Sequence, residues 1–487
     1  MDVVIVGGGH NGLVAAAYLA RAGKSVLVLE RRGAVGGAAV SETPFAGHAA
    51  RLSRYAYLVS LLPSRIASDL GVDVELRTRP VVACAPPDLL APGRVPEQAA
   101  WDAFYGWCDE VAARLWPTVL EPLPTRAEAR ALVGDGSFRA LAEAPLLDTL
   151  AASFTSPLLR GVAGTDGLIG TFASLASPSL AQNRCFLYHV VGGPWRVPVG
   201  GMGAVSAALE RAASRAGARV VCEAEVLHVD PGGVTWRDGA GAEHTVAADW
   251  VLSGVAPSVL DALRGRPVRE VAEGCQMKVN LLLTRLPRLR SGIPAEQAFA
   301  GTLRLHERED ELEAAYVAAA RGDIPDPAPA ELYCHSLTDP SIVPPGFHTL
   351  TLFGLHTPAS LFRRDPEFVK AVVVERYLDQ LDQLLDEPIR DCLALDAHGE
   401  PCIEARSPLD LEAELGLPGG NIFHGELSWP WHDDADGAAS SDLAGPGVRW
   451  GVATDDPHIL LCGAGAVRGG GVSGIGGHNA AMAVLGR

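Results

Sequence analysis

The sequence lacks the features that mark several common classes of protein. Lys and Arg number 40 against 58 Asp and Glu, which gives a formal net charge of −18 at pH 7. Nucleic acids and anionic lipid surfaces are held through clustered basic side chains, so this balance argues against both as electrostatic partners. No stretch of the sequence approaches the ~18 consecutive apolar residues of a membrane-spanning helix.

Cysteines are few and are not paired in the sequence. Nine are scattered along 487 residues, and none forms CxxC or the spacing of a metal site. We therefore expect no bound metal, no Fe–S cluster and no redox disulfide. The acidic residues Asp433, Asp434 and Asp436 could hold a cation, but a solvated loop is the simpler interpretation. Because the chain starts directly on a predicted strand, we expect no targeting peptide and a cytoplasmic location.

A strand–turn–helix pattern opens the chain. Residues 3–6 are apolar and β-branched, which predicts a strand buried on both faces. The strand runs into GGGHNG at 7–12, which fits GxGxxG, and apolar residues at helical spacing follow over 13–22. A second predicted strand, 25–29, ends at Glu30. This order of elements is typical of a dinucleotide-binding unit.

Each part of this unit has a mechanical reason. Gly7 permits the tight turn, Gly9 lets a pyrophosphate approach the backbone, and Gly12 lets helix and strand pack closely. The helix N-terminus offers N–H groups and partial positive charge to phosphates. Glu30 can accept hydrogen bonds from a ribose 2′-hydroxyl, which favours FAD or NAD over NADP. The alternative is a glycine-rich turn in an empty α/β unit.

Two further glycine-rich stretches need an interpretation. Gly201-x-Gly203-x-x-Ser206 nearly repeats the nucleotide fingerprint. Because Ser206 replaces the close-packing glycine and no long apolar strand precedes the turn, we favour a structural helix start over a second nucleotide site. Near the C-terminus, a predicted strand within 458–465 is followed by glycines at 469–477 and a closing helix. That arrangement indicates a loop that embraces a ligand.

The middle of the chain is less informative. Its periodicity predicts helices over 99–115, 126–150 and 367–385, and a strand over 277–283. Residues 151–182 are rich in apolar and small side chains. They could line an apolar cavity, face a partner subunit, touch a membrane surface as a peripheral contact, or simply pack.

Both ends resemble the FAD-binding flavoproteins that include amine oxidases and phytoene desaturases, and are most similar to the phytoene desaturase-related FAD oxidoreductases. The second glycine pair, in RRGAVGG after Glu30, separates this superfamily from simple NAD dehydrogenases. The resembling stretches are GGGHNGLVAAAYLARAG (7–23), LERRGAVGGAAV (29–40), SRYAYLVSLL (53–62), VPVGGMGA (197–204), GLPGGNIFHGELSW (416–429) and LLCGAGAVRGGGVSGIGGHNAA (460–481).

The resemblance implies an α/β fold with two discontinuous domains. A Rossmann-type, amine-oxidase-like FAD-binding domain would take residues 1–75, 196–275 and 445–487. An α+β substrate domain would take residues 76–195 and 276–444.

The resemblance also implies FAD contacts at named positions. Those at the ADP half are Gly7, Gly9, Gly12, Glu30, Arg31, Gly36, Gly37 and Val226, and those near the isoalloxazine are Gly465, Gly471, Val472 and Ser473. The N-terminus of the last helix would face the N1/O2 edge of the ring, where it would stabilise the negative charge of reduced flavin.

Three residues are candidates for catalysis. Lys278 lies in MKVN, which is similar to a Lys-x-Asn of the family and could support the flavin or a water, or be a surface lysine. His189 could reach the substrate or be structural. Arg468 stands where carotenoid desaturases usually carry His-Pro, and could place a positive charge beside the flavin or point to solvent. The lesser candidates are His424 and Glu426, with His10 and His478 interpreted as structural.

The resemblance therefore implies an FAD-dependent oxidoreductase. We expect it to dehydrogenate a largely apolar or polyene-like small molecule, with hydride passing to flavin N5 and then to oxygen, a quinone or another acceptor. A flavin amine oxidase is disfavoured by the aromatic content of 6% and by the lack of a Tyr/Trp pair near the tail. A non-redox isomerase that uses reduced FAD and a flavin-bound interaction protein without turnover stay open, as does the oligomeric state.

Overall fold

The computed structural model describes residues 1–79, 83–85, 88–90, 93–432 and 445–487. The acidic run considered above as a cation site, at Asp433, Asp434 and Asp436, lies outside the described residues.

The described chain forms the following strands and α-helices, numbered in chain order. The strands are β1 Val3–Val6, β2 Val26–Leu29, β3 Ser41–Glu42, β4 Leu52–Ser53, β5 Leu76–Arg77, β6 Ala83–Ala85, β7 Asp88–Leu90, β8 Val197–Pro198, β9 Arg219–Val221, β10 Glu225–Asp230, β11 Gly233–Arg237, β12 Glu243–Ala247, β13 Trp250–Ser253, β14 Met277–Leu283, β15 Thr302–Leu305, β16 Ala330–Tyr333, β17 His348–Gly354, β18 Ile403–Arg406 and β19 Ile459–Leu461. The α-helices are α1 His10–Arg21, α2 Ser64–Leu70, α3 Gln98–Leu115, α4 Arg126–Val133, α5 Asp135–Ala142, α6 Leu146–Ser153, α7 Pro157–Gly164, α8 Ala181–Val191, α9 Met202–Ala216, α10 Pro257–Leu263, α11 Ala295–Ala298, α12 Glu309–Ala320, α13 His335–Thr338, α14 Ala359–Phe362, α15 Pro366–Asp382, α16 Pro408–Leu415, α17 Pro446–Arg449 and α18 Ile475–Leu485.

A parallel sheet in the order β19–β13–β1–β2–β9 forms the first half of the molecule. Its central strand β1 is fully buried because its side chains are apolar on both faces. Val3 and Ile5 pack on one face with α1, α9 and α18, and Val4 and Val6 pack on the other with α10 and the sheet β10–β12. The predicted Rossmann-type α/β architecture is confirmed.

A seven-stranded sheet, β18–β14–β17–β16–β15–β6–β7, forms the second half. Its strands are antiparallel except for the pair β15 and β6. One face is apolar, and its Val279 and Leu332 share a core with Tyr377 and Leu378 of α15. Lys278 and Glu331 alternate with these apolar residues along β14 and β16, so they belong to the opposite face. The domain boundaries inferred above stay a prediction.

Helices α3 to α8 form an apolar cluster beside this sheet. The helix predicted over 126–150 is wrong, because the structure divides that range into α4, α5 and α6. Gly134, at φ +85°, separates α4 from α5, and Pro145 precedes the first residue of α6. Within 151–182, the side chains of Leu159 and Leu168 are buried in the cluster.

The strand predicted over 277–283 and the helices predicted near 99–115 and 367–385 are confirmed as β14, α3 and α15. In the described ranges no helix has both the length and the hydropathy to cross a membrane. Eight of the nine cysteines are buried.

Candidate functional site

A cavity of about 900 Å³ lies between the two large sheets. At one side it reaches the carboxyl ends of β1 and β2, where Val6, Gly7 and Leu29 line it. At the other it reaches the polar face of the seven-stranded sheet, where Lys278 and Glu331 line it. The carboxyl edge of a parallel sheet is where α/β proteins bind nucleotides.

The glycines of the first turn have different surroundings. Gly7 has φ +95°, which favours glycine, and a Cβ on Gly12 would lie 2.4 Å from the carbonyl oxygen of Gly7. A Cβ on Gly9 would meet no described atom within 4 Å. Packing therefore explains Gly12, whereas Gly9 borders open space in the cavity, as the backbone of a phosphate cradle does.

The two glycine-rich helix starts differ in their hydrogen bonds. Helix α9 is capped by the protein itself, since Met202 N–H donates to Ser53 Oγ at 3.0 Å and Gly203 N–H donates to Ser41 Oγ at 2.9 Å. Among the described residues no side chain caps helix α1, and its N-cap Gly9 lines the cavity. The N–H groups of α1 are thus presented to a ligand, and the structural interpretation of the Gly201 turn is supported.

Glu30 lies beside this helix start with its carboxylate held in place. It is buried, and its Oε2 accepts from Gly8 N–H at 2.8 Å while Oε1 accepts from Arg32 N–H at 3.0 Å. Each oxygen keeps a lone pair for a ribose hydroxyl. Arg31 also lines the cavity, and its Nη2 donates to the carbonyl of Glu414 at 3.1 Å.

The second glycine pair packs against the first turn. Gly36 N–H donates to the carbonyl of Gly8 at 2.9 Å. Gly37 lines the cavity, as does Val226, which lies where a bulge interrupts the pairing of β10 with β11. A helix start with uncapped N–H groups, a buried acid and this glycine pair fit the ADP half of a dinucleotide.

The C-terminal glycine loop closes the cavity over α1. Gly471 and Val472 line it, and His10 Nε2–H donates to the carbonyl of Gly471 at 3.2 Å. Burial lowers the pKa of His10 to about 4, so the ring is a neutral donor. His10 therefore ties the first turn to the loop, in agreement with the structural role expected for it.

Two predicted flavin contacts lie elsewhere on this loop. A Cβ on Gly465 would lie 2.5 Å from Cδ of Pro257, so Gly465 allows close packing there. Ser473 Oγ accepts from Ile475 N–H at 3.2 Å and closes the turn before α18. Contacts of Gly465 and Ser473 with a cofactor stay predictions.

Arg468 has a structural role, and the alternative that it points to solvent is wrong. Its side chain is buried, with Nη1 donating to the carbonyls of Thr118 and Glu121, both at 2.7 Å. Nη2 and Nε donate to the carbonyl of Pro430 at 3.0 and 3.2 Å. Burial lowers the pKa of Arg468 to about 10, which leaves it charged at pH 7. The guanidinium is thus directed to backbone carbonyls and fixes the loop.

Lys278 is buried where the polar face of the seven-stranded sheet forms the floor of the cavity, so its interpretation as a surface residue is wrong. Its Nζ donates to the carbonyls of Ser53 and Tyr55, the latter at 2.8 Å, and lies 4.7 Å from the centre of the Tyr57 ring. Burial lowers the pKa of Lys278 to about 7, against the opposing charge of Glu404. Lys278 therefore joins the loop at 53–57 to β14.

His189 also lines the cavity. Its Nδ1–H donates to the carbonyl of Cys185 at 2.9 Å, and its ring centre lies 5.1 Å from that of Trp195. Since Nδ1 carries the hydrogen, a neutral ring keeps Nε2 as an acceptor. The structure thus leaves one nitrogen of His189 available to a ligand.

The lesser candidates divide between the cavity and its surroundings. His424 lines the cavity, and burial lowers its pKa to about 4. Glu426 is exposed and pairs with Arg184 at 2.8 Å. His478 is buried, with its Nδ1 2.9 Å from Oδ1 of Asn479, in agreement with a structural role.

Apart from Lys278, sequence reasoning missed a row of cavity residues that crosses the seven-stranded sheet. Strand register places them side by side, and all line the cavity: Arg304, Glu331, Phe353, Lys278 and Arg406. A signal was present, because the segments LRL (303–305) and AEL (330–332) each place one charge between two apolar residues. That alternation predicts a charged face on a half-buried strand.

Aromatic rings from distant segments also meet at this floor. The ring centre of Tyr57 lies 5.0 Å from that of Tyr333 and 5.4 Å from that of Phe353. Tyr188 and Trp195 line the cavity as well. Aromatic side chains therefore line part of this cavity.

Comparisons with known proteins agree with this geometry. Residues 5–63 match the family described as NAD(P)-binding Rossmann-like domain. Uncharacterized protein Rv0897c of Mycobacterium tuberculosis is 50% identical over 99% of this chain and 97% of that protein. Pyridine nucleotide-disulfide oxidoreductase domain-containing protein 2 of Mus musculus is 28% identical over 99% of this chain and 93% of the mouse protein.

Among solved structures, a putrescine oxidase variant superposes with a TM-score of 0.60 at 18% sequence identity, covering 100% of this chain and 99% of that chain. At that identity the likeness concerns the fold, and it confirms the amine-oxidase type that the sequence resemblance implied.

Proposed function

Since the chain is an FAD-dependent oxidoreductase and belongs to the same family as the mycobacterial protein Rv0897c, we propose that it dehydrogenates a small molecule with a largely apolar body, bound in the cavity against the aromatic rings of its floor. The electron acceptor in this proposal is oxygen, a quinone or another oxidant.

One observation carries this proposal. The uncapped start of α1, with Gly9 facing open space and Glu30 beside it, opens into the same cavity whose floor carries Tyr57 and Phe353. A dinucleotide held at the first end and a substrate held at the second would share one continuous cavity. Hydride transfer needs that arrangement, because the reacting C–H bond must lie close to the flavin.

The cofactor and the protein divide the chemistry. Bound FAD supplies the hydride acceptor at N5. Lys278, with a pKa of about 7 as a result of burial, can take up or give a proton near neutral pH. His189 offers Nε2 as a second acceptor on the same cavity. The rings of Tyr57, Tyr333 and Phe353 give the substrate an apolar surface to lie against.

Flavin-dependent amine oxidation is a second candidate. The grouping of Tyr57, Tyr333 and Phe353 favours it, because a reacting amine is well placed between aromatic rings. The fold similarity to a putrescine oxidase agrees with it.

The first measurement is the absorption spectrum of the purified protein, followed by anaerobic addition of an apolar polyene or an amine. We expect bands near ~375 and ~450 nm from oxidised flavin. Bleaching of the longer band by the polyene supports the proposal, and bleaching by the amine alone supports the second candidate. A colourless protein that also fails to bind added FAD would overturn both.

A further inference from the structure

Two arginines line the cavity on the β15 side of the seven-stranded sheet. Arg304 belongs to β15, and its side chain is 9% exposed. Arg79 is anchored to the same strand, because its Nη1 donates to Oγ1 of Thr302 at 2.8 Å. Its guanidinium also lies 5.1 Å above the centre of the Tyr333 ring. The cavity therefore has two cationic groups at one end of its floor.

Both guanidinium groups keep a donor without a partner. Nε of Arg79 and Nε of Arg304 are buried, and among the described residues neither has a hydrogen-bond acceptor. Arg304 uses Nη1 for Glu307 and, at 2.7 Å, for Oε1 of Glu331. A buried N–H without an acceptor is costly. The Nε atoms are closed off from the cavity, so a ligand would meet the Nη groups. Arg79 has no carboxylate partner among the described residues and donates Nη1 to Thr302, which favours a ligand that brings acceptor oxygens.

The carboxyl groups near Arg304 either have hydrogen-bond partners already or carry less negative charge. Glu331 uses Oε1 for Arg304 and accepts the hydroxyl of Tyr333 at Oε2. Burial raises the pKa values of Glu307 and of Asp166, another cavity residue, which reduces the negative charge near Arg304. An incoming anion thus meets less repulsion than the number of carboxyl groups suggests.

The distance between Lys278 and Arg304, at the two ends of the floor, indicates the length of the ligand. Lys278 and Arg304 lie in one register row, separated by Phe353 and Glu331. Three inter-strand steps of ~4.8 Å place their backbones roughly 14 Å apart. Phe353, with Tyr57 packed on it, supplies the apolar surface between them.

We propose that Arg79 and Arg304 bind a carboxylate of the substrate, and that the substrate is an elongated acid whose apolar body lies over Phe353 and Tyr57. The inference rests on the proposed function for the reaction itself, and adds the chemical class of the substrate. A substrate with an ammonium group, facing Asp166, is the competing possibility, and the experiment is designed to separate the two.

The test measures binding of three eight-carbon probes, octanoate, octanol and octylamine, to the FAD-loaded protein by calorimetry and by the shift of the flavin absorption band. We expect octanoate to bind tightest. In Arg79→Gln, octanoate should bind about tenfold to a hundredfold more weakly, because a hydrogen bond to a charged group is lost. Binding of octanol should stay as in the wild type.

The matched control is Arg77→Gln, two residues away on the same segment. Arg77 pairs with Glu75 at 2.7 Å and donates to the carbonyl of Thr338, and it is not a cavity residue. This control should leave octanoate binding unchanged. A second variant, Arg304→Lys, keeps the charge beside Glu331 and should weaken octanoate binding as Arg79→Gln does, with the FAD content as the check on folding.

Three outcomes would overturn the inference: octylamine binding tighter than octanoate, octanoate binding that both arginine variants leave unchanged, or an apolar probe that binds while octanoate does not. Each of these leaves the proposed oxidoreductase function intact, provided that the flavin is present and an apolar or amine substrate reduces it. Failure to bind FAD at all would instead refute the proposed function.

Discussion

At the scale of single residues, Gly9 and Gly12 separate binding from packing. Gly12→Ala brings a Cβ to 2.4 Å from the Gly7 carbonyl oxygen, and we expect a loss of about 1–3 kcal/mol in the free energy of unfolding of the apoprotein. Gly9 has φ −68°, a value that alanine adopts freely, and a Cβ at this position would meet no described atom within 4 Å. Gly9→Ala should therefore leave the free energy of unfolding of the apoprotein unchanged, while reducing FAD affinity at least about tenfold.

Urea unfolding of the two apoproteins and titration with FAD, followed by flavin fluorescence, check this pair of expectations. Wild-type FAD affinity in Gly9→Ala would contradict the assignment of the open space beside Gly9 to a pyrophosphate.

The buried amine of Lys278 predicts a pH dependence of stability. Its folded pKa is lowered from 10.5 to about 7 by burial. Between these values the unfolded chain holds a proton that the folded chain has released, so stability rises with pH. From about pH 7.5 to 9.5 the wild type should gain up to about 1.4 kcal/mol per pH unit over Lys278→Met.

Denaturant unfolding at several pH values measures this difference. Lys370→Met is the matched control, because ion pairs raise the pKa of Lys370 and the difference should stay flat over the same range. Parallel curves of stability against pH for wild type and Lys278→Met would show that folding does not lower the pKa of Lys278.

At the scale of elements, α1 and α9 are similar helix starts with opposite roles. Ser41→Ala and Ser53→Ala each remove the acceptor of an α9 N–H, and we expect each to cost about 1 kcal/mol of unfolding free energy. FAD should still bind at one per chain, because both variants leave the start of α1 and Glu30 in place. Urea unfolding and flavin quantification test both parts, with the exposed Ser68→Ala of α2 as control.

How far elements follow from sequence depends on how local their causes are. The unit from β1 to Glu30 could be predicted because its turn, helix and acid are neighbours in the chain. The break between α4 and α5 could not, since Gly134 is compatible with a helix until its φ of +85° is known. The sequence shows the charges of Arg304 and Glu331, but the contact between these two side chains depends on the register of β15 with β16.

At the scale of the whole molecule, the cavity is an interface between the two sheets. Gly9 and Glu30 come from the parallel sheet, whereas Lys278 and Phe353 come from the seven-stranded one. No property of a single segment reveals this juxtaposition, and only the family resemblance anticipated it. Arg468 stands where this chain departs from the family's His-Pro, and its guanidinium is directed to the carbonyls of Thr118 and Pro430. Motif position therefore predicts a residue's neighbourhood better than its side-chain direction.

A ligand bound at this interface should stabilise the whole fold. FAD binds the native state and not the unfolded chain, so at a concentration a hundred times its Kd it should add about 2.7 kcal/mol to the free energy of unfolding. Thermal unfolding of the apoprotein with increasing FAD measures this as a rise in Tm. FMN lacks the AMP part of FAD, and with it the ribose that Glu30 would hold, and should raise Tm much less. Equal shifts with FMN and FAD would contradict an ADP site at the first turn, and Gly9→Ala should lose the FAD-dependent shift.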